Sequence, residues 1–186
     1  MTRGAASIWI ITGTREAGKT RFCQKVIEEA RTRGLTVGGI LSPAVFENGV
    51  KTGINAQNLA SGEMQRLATV REEVRDAITP RWSFDEKSLA WGSVVLKNSA
   101  PCDLLVVDEL GPLELLHSRG WIEGIEVLNG GEYRAALVVI RQELLETARQ
   151  LWPQAVVIHI TRELSDETLR THVHSIFYSQ PDSDQA

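Results

Sequence analysis

Gly13-Thr14-Arg15-Glu16-Ala17-Gly18-Lys19-Thr20 decides how this chain is read. The eight residues fit G-x-x-x-x-G-K-[ST], the phosphate-binding pattern called Walker A. Their surroundings fit as well. Residues 8–12, Ile-Trp-Ile-Ile-Thr, read as a buried strand, and Phe22, Cys23, Val26, Ile27 and Ala30 then fall on one face of a helix. Strand, glycine loop and helix point loop N–H groups and the positive end of the helix dipole at one spot, where an anion sits. Glycines bring backbone close to such a ligand with no side chain between. Lys19 supplies a cation for the β- and γ-phosphates and Thr20 a hydroxyl for magnesium. The expected nucleotide-binding set runs Gly13, Thr14, Arg15, Glu16, Ala17, Gly18, Lys19, Thr20 and Arg21. Arg15 either touches phosphate or points to solvent, as loop side chains commonly do.

Further along, Leu104-Leu105-Val106-Val107-Asp108-Glu109 places an acid after four apolar residues, the Walker B pattern. In P-loop enzymes that Asp helps hold magnesium, so Thr20 and Asp108 are the expected metal ligands. Glu109 is the sharper clue. A carboxylate one residue beyond the magnesium ligand can take a proton from water in line with the γ-phosphate. Hydrolysis needs such a group and nucleotide binding alone does not. The plainer reading of Glu109 is an exposed acid at a strand end. Arg141 follows the apolar strand 135–140. If that strand lies between the P-loop strand and the Walker B strand, Arg141 or Gln142 ends near the γ-phosphate, where a guanidinium stabilises developing charge. Arg162 after the last strand is a weaker candidate, and both arginines also read as ordinary helix flanks. Lys19, Glu109 and Arg141 are thus the catalytic candidates.

The 186 residues suit one domain over 1–178 with a loose tail at 179–186. A net charge of −4 and a pI near 5.6 weigh against a large nucleic-acid footprint. Cys23 and Cys102 show no C-x-x-C pairing, so neither a disulfide framework nor a zinc site is expected. No signal peptide or membrane-spanning run is visible, and a cytoplasmic, monomeric protein is the expectation. The four histidines have no ligand partners at metal spacing. Of the five tryptophans, Trp82 lies in an irregular segment and is the one to test for stacking on a base.

Strands are expected at 36–41, 50–59, 63–68, 104–107, 135–140 and 155–160, and helices at 89–96, 114–128 with an irregularity at Ser118-Arg119-Gly120, 143–152 and after Ser165. Residues 70–87 are charged and irregular and receive no assignment. The run 104–107 is apolar on both faces, as in the middle of a parallel sheet. Alternating strands and helices predict an α/β fold with a doubly wound, mostly parallel sheet, and 50–68 reads as an inserted β-hairpin.

Lys19, Thr20, Gly38-Gly39-Ile40-Leu41-Ser42-Pro43, Lys51-Thr52-Gly53 and Asp108-Glu109-Leu110-Gly111-Pro112-Leu113-Glu114 resemble the THEP-type nucleoside-triphosphatases, relatives of human cancer-related nucleoside triphosphatase. The resemblance runs from about Ile8 to Leu169. It implies a three-layer P-loop NTPase fold of the type with an added catalytic glutamate. It also implies magnesium-dependent hydrolysis of several nucleoside triphosphates to diphosphate and phosphate. Thr14-Arg15-Glu16-Ala17 stands where such relatives carry a Pro-Pro-Gly-rich interior, and Thr161-Arg162-Glu163 stands where they carry an Asn-Arg pair. Two other readings use the same loop. One is a kinase of a nucleotide or small molecule, with an acceptor held by residues 50–87. The other is a nucleotide-gated adaptor with little turnover.

Overall fold

The computed structural model describes residues 6–71 and 81–178. Strand β1 (Ser7–Thr12) runs into the core, and loop 13–18 turns the chain into helix α1 (Lys19–Thr32), which buries the expected face of Phe22, Cys23, Val26, Ile27 and Ala30. Then come β2 (Val37–Leu41), β3 (Ala44–Glu47), β4 (Val50–Asn58), β5 (Met64–Val70) and β6 (Trp82–Phe84). Helix α2 (Glu86–Lys97) is capped by the Asp85 side chain on Ser88 N–H. The second half holds β7 (Leu104–Leu110), α3 (Pro112–His117), α4 (Ile122–Gly130), β8 (Ala135–Ile140), a 3-10 turn (Gln142–Leu144), α5 (Leu145–Leu151), β9 (Val156–His159) and α6 (Asp166–Tyr178).

One sheet joins all the strands, in the order β6-β5-β4-β2-β7-β8-β1-β9, with β3 paired to β4 off that path. β2, β7, β8, β1 and β9 are parallel. Alternate residues of the central strands feed opposite faces, the period-two rule of a strand. Leu104, Val106, Leu137 and Val139 pack with α1 and with Val173 and Ile176 of α6. Leu105, Val107, Val138 and Ile140 pack with Leu96, Leu128 and Ala148 from α2, α4 and α5. Helices therefore cover both faces, and the three-layer α/β expectation holds. Each fully buried Leu, Ile or Val contributes about 1.5–3 kcal/mol, which makes β8 and the buried run 104–107 of β7 the stabilising centre.

The inserted part is larger than a hairpin. β3, β4, β5 and β6 form an antiparallel extension on the β2 edge, reached through β2–β4 pairing. β3 and β6 escape a sequence reading because four and three residues are too short to show alternation. Segment 70–87, left without assignment, holds the end of β5, β6 and the start of α2, while 72–80 lies outside the described residues. The irregularity expected at 118–120 within the helical stretch 114–128 is a break at 118–121 between two helices, where Ser118 is left-handed at φ 48°. The tail 179–186 also lies outside the described residues. Both cysteines are buried and free, and no helix among the described residues is long and apolar enough to cross a membrane.

Candidate active site

The carboxyl ends of β1, β8 and β7 lie side by side, because β8 pairs with β1 on one side and with β7 on the other. The strand 135–140 therefore does separate the P-loop strand from the Walker B strand. Ligands of such sheets bind at this edge. Arg141 leaves β8 next to the acidic pair, and its Nε donates to Glu109 Oε1. Of the two candidate arginines, Arg141 is the one brought to Glu109. Arg162 is exposed and its guanidinium reaches Glu16 Oε2 at 3.4 Å.

The loop is held tightly. Gly13 has φ +148°, and a Cβ there would stand 2.1 Å from the carbonyl oxygen of Ile160, so only glycine fits against the end of β9. Gly18, at φ +99°, leads directly into Lys19 at the start of α1. Lys19 Nζ donates to the carbonyls of Gly13 at 2.9 Å and Thr14 at 2.8 Å. Burial pulls the Lys19 pKa below its ordinary value, while Glu109 and Asp108 work against that pull. A phosphate oxygen would supply the anionic partner that this half-buried ammonium lacks in the loop carbonyls.

Asp108 is 2% exposed. Its Oδ2 accepts from Ser42 N–H at 3.1 Å, and the Ser42 hydroxyl donates to the Asp108 carbonyl. Burial pushes the Asp108 carboxyl up to about 7, with Ser42 N–H pulling it down, Glu109 pushing it further up, and the Thr20 hydroxyl and Lys19 pulling it down. A buried acid in that condition is stabilised as carboxylate by a cation. Its neighbour Thr20 offers a second hard oxygen, so the pair fits magnesium, which is commonly held by one or two protein oxygens plus phosphates. Among the described residues no group of three or more His, Cys, Asp or Glu is arranged to hold a metal ion by itself.

A cavity of about 630 Å³ joins these parts, within the range of small-molecule sites. All of Gly13 through Thr20 line it, together with Glu109, Arg141, Gln142 and Glu143. Thr14, Arg15 and Glu16 are exposed. Arg21 faces a separate cavity of about 170 Å³, shared with Lys25, Thr161 and Arg162. Asp108 lines an inner chamber that also touches Thr20, Glu109 and Arg141.

Sequence reasoning missed Lys51, Ser42 and Arg81. The antiparallel extension swings Lys51 of β4 into the cavity wall, half-buried, with Nζ 5.2 Å from the Trp82 ring centroid. Burial pulls its pKa down, with Glu109 opposing most strongly. Lys51-Thr52-Gly53 belonged to the resemblance, yet no spacing rule tied it to the loop. Arg81 lies 5.3 Å from the same ring. Trp82 thus lines the cavity beside Glu109 and engages cations. Trp9, Trp121 and Trp152 spend their indole N–H on Ser7, Leu89 and Asn129.

A family model described as NTPase matches residues 8–173. The nucleoside-triphosphatase THEP1 of Archaeoglobus fulgidus is 30% identical over 163 residues, covering 86% of this chain and 95% of the relative. That of Caldivirga maquilingensis is 25% identical over 166 residues, covering 89% and 94%. Among solved structures, human cancer-related nucleoside triphosphatase is similar in fold with a TM-score of 0.72 at 23% identity, covering 94% of this chain and all of the other. THEP1 from Aquifex aeolicus gives 0.65 at 18% identity, covering 91% and 98%. The chain belongs to the NTPase family and is a nucleoside-triphosphatase.

Proposed function

We propose that the protein hydrolyses magnesium-bound nucleoside triphosphates to diphosphate and phosphate, with broad tolerance of the base. The observation that carries this reading is the Glu109–Arg141 pair, set at the rim of the same cavity as the glycine loop. Loop N–H groups and Lys19 hold the β- and γ-phosphates. Thr20 and Asp108 would hold magnesium, which when bound neutralises charge on the phosphate oxygens. Glu109 orients a water and accepts its proton. Arg141 fixes the Glu109 carboxylate and offers its remaining N–H groups to the γ-phosphate as charge develops.

Base tolerance is supported by the smaller cavity beside the loop, where Arg21, Thr161 and Arg162 are all exposed. Long solvated side chains discriminate poorly, whereas buried polar groups left unpaired by a wrong base would reject it. The test is phosphate release from ATP, GTP, CTP and UTP, with magnesium and with EDTA. Release from all four at kcat/KM within about tenfold, and none with EDTA, is expected; a preference for one base of about 10⁴ would overturn the tolerance.

A further inference from the structure

Beyond Glu109 the cavity continues into a chamber of about 120 Å³, part of whose lining is Thr20, Asp108, Glu109 and Arg141 of the hydrolytic site. The rest of its lining is largely apolar, with Ile54, Leu67, Phe84, Leu89, Leu113 and Trp121. The chamber is close in size to the cavity of about 150 Å³ lined by Leu, Ile and Phe that takes benzene. Its wall is fixed rather than loose. Trp121 is pinned at both of its N–H groups, the backbone one to Glu114 Oε1 at 3.0 Å and the indole one to the Leu89 carbonyl at 3.0 Å. Gly92 of α2 admits that indole, since a Cβ would stand 2.5 Å from its nitrogen. At the mouth stand Glu109, Arg141 and Lys51. The Lys51 ammonium makes no hydrogen bond among the described residues and rests against Trp82. A slot of one ring's size, with apolar side chains on one part of its lining and a base and cations on the other, is what a phosphoryl acceptor requires.

We propose that the chamber between Glu109 and the antiparallel extension binds a single-ring aromatic alcohol, and that the protein transfers the γ-phosphoryl group to it as well as to water. The ring fills the apolar slot, and an acidic substituent at the mouth pairs with Lys51. The hydroxyl takes the place of the attacking water. Its oxygen bonds to the γ-phosphorus while the bond from γ-phosphorus to the β,γ-bridging oxygen breaks. The nucleoside diphosphate leaves with that electron pair, and the hydroxyl proton passes to the Glu109 carboxylate. The products are a phosphomonoester and a nucleoside diphosphate. The proposal rests on the reading of Glu109 as the base.

The test follows label from magnesium [γ-³²P]ATP, with the full chain and millimolar benzyl alcohol, 3-(hydroxymethyl)pyridine or 3-(hydroxymethyl)benzoate. Glycerol is the ringless control. We expect label in a phosphomonoester with the ring alcohols, most with the benzoate, none with glycerol, and total turnover raised at least about tenfold by the bound acceptor. Leu89→Trp, which fills the slot, should cut the share of label in ester about tenfold or more. Leu67→Phe serves the same purpose if the first variant fails to show a cooperative melt. Label in inorganic phosphate alone with every ring alcohol overturns the proposal. So does inhibition without ester, equal ester from glycerol, or an unchanged ester share in the filled variants. Phosphate release with no alcohol present tests hydrolysis separately. Release without any ester removes only the transfer activity, while ester without release removes only the hydrolase reading.

Discussion

Asp108 gives the site a pH signature at the level of one residue. Its carboxyl, pushed up to about 7 by burial, keeps a proton in the folded chain over a range where the unfolded chain, near the ordinary 3.8, has lost it. The folded state binds more protons there, so stability falls as pH rises from about 4 to 7. Asp108→Asn removes this titration. It should leave the nucleotide-free protein more stable than wild type by about 1–3 kcal/mol at pH 8 and nearly equal to it at pH 4. Denaturant melts at the two pH values measure this, and an equal shift at both would contradict it. Arg141 makes a second prediction at this scale. In the proposed mechanism Arg141 acts on the developing charge, so in Arg141→Ala kcat and kcat/KM should fall together, by about 10²–10³. A rise in KM with kcat intact would instead make Arg141 a uniform binder of substrate. The loop and acidic pair could be read directly because their chemistry is tied to fixed spacings. Ser42 and Lys51 could not, since each reaches the site through strand pairing between residues distant in sequence.

Among the elements, the stretch after β7 shows how a local device supports the site. Glu114 is 9% exposed, and its two oxygens accept from Gly111 N–H at 2.8 Å and Trp121 N–H at 3.0 Å. The first bond closes the start of α3 in the manner of a capping-box glutamate. The second fixes the entry to α4. Gly120 completes the turn, because a Cβ there would stand 2.1 Å from Glu114 Oε1. The Asp108–Glu114 run thus joins chemistry at its front to a structural latch at its rear. Glu114→Ala leaves two buried N–H groups without partners and should cost about 2–4 kcal/mol, against about 1–2 kcal/mol for Glu114→Gln, which keeps one good acceptor. Chemical denaturation of the two variants checks the ordering; equal losses would remove the latch. The sequence marks 118–120 as irregular within the helical stretch 114–128, and the Glu114 contacts, made across the turn, show why the chain stops and restarts there. β3 and β6 were hidden for the simpler reason of length.

At the scale of the whole molecule, the parallel half of the sheet was legible because β7 and β8 are apolar on both faces and the glycine loop fixed where β1 ends. The antiparallel extension was legible only as a polar hairpin, since its pairing partners and its approach to Glu109 depend on tertiary packing. The two halves act together: one presents the phosphate loop and the acids, and the other closes the cavity above them. The central claim is that this edge grips a triphosphate and that Glu109 activates the attacking water. The most direct measurement compares Glu109→Gln with wild type for magnesium-ATP binding, read as a raised melting midpoint, and for phosphate release. The account predicts the same ligand-induced rise in both proteins, with release at least about 10²-fold slower in the variant. Unchanged release in a variant that binds normally would contradict it.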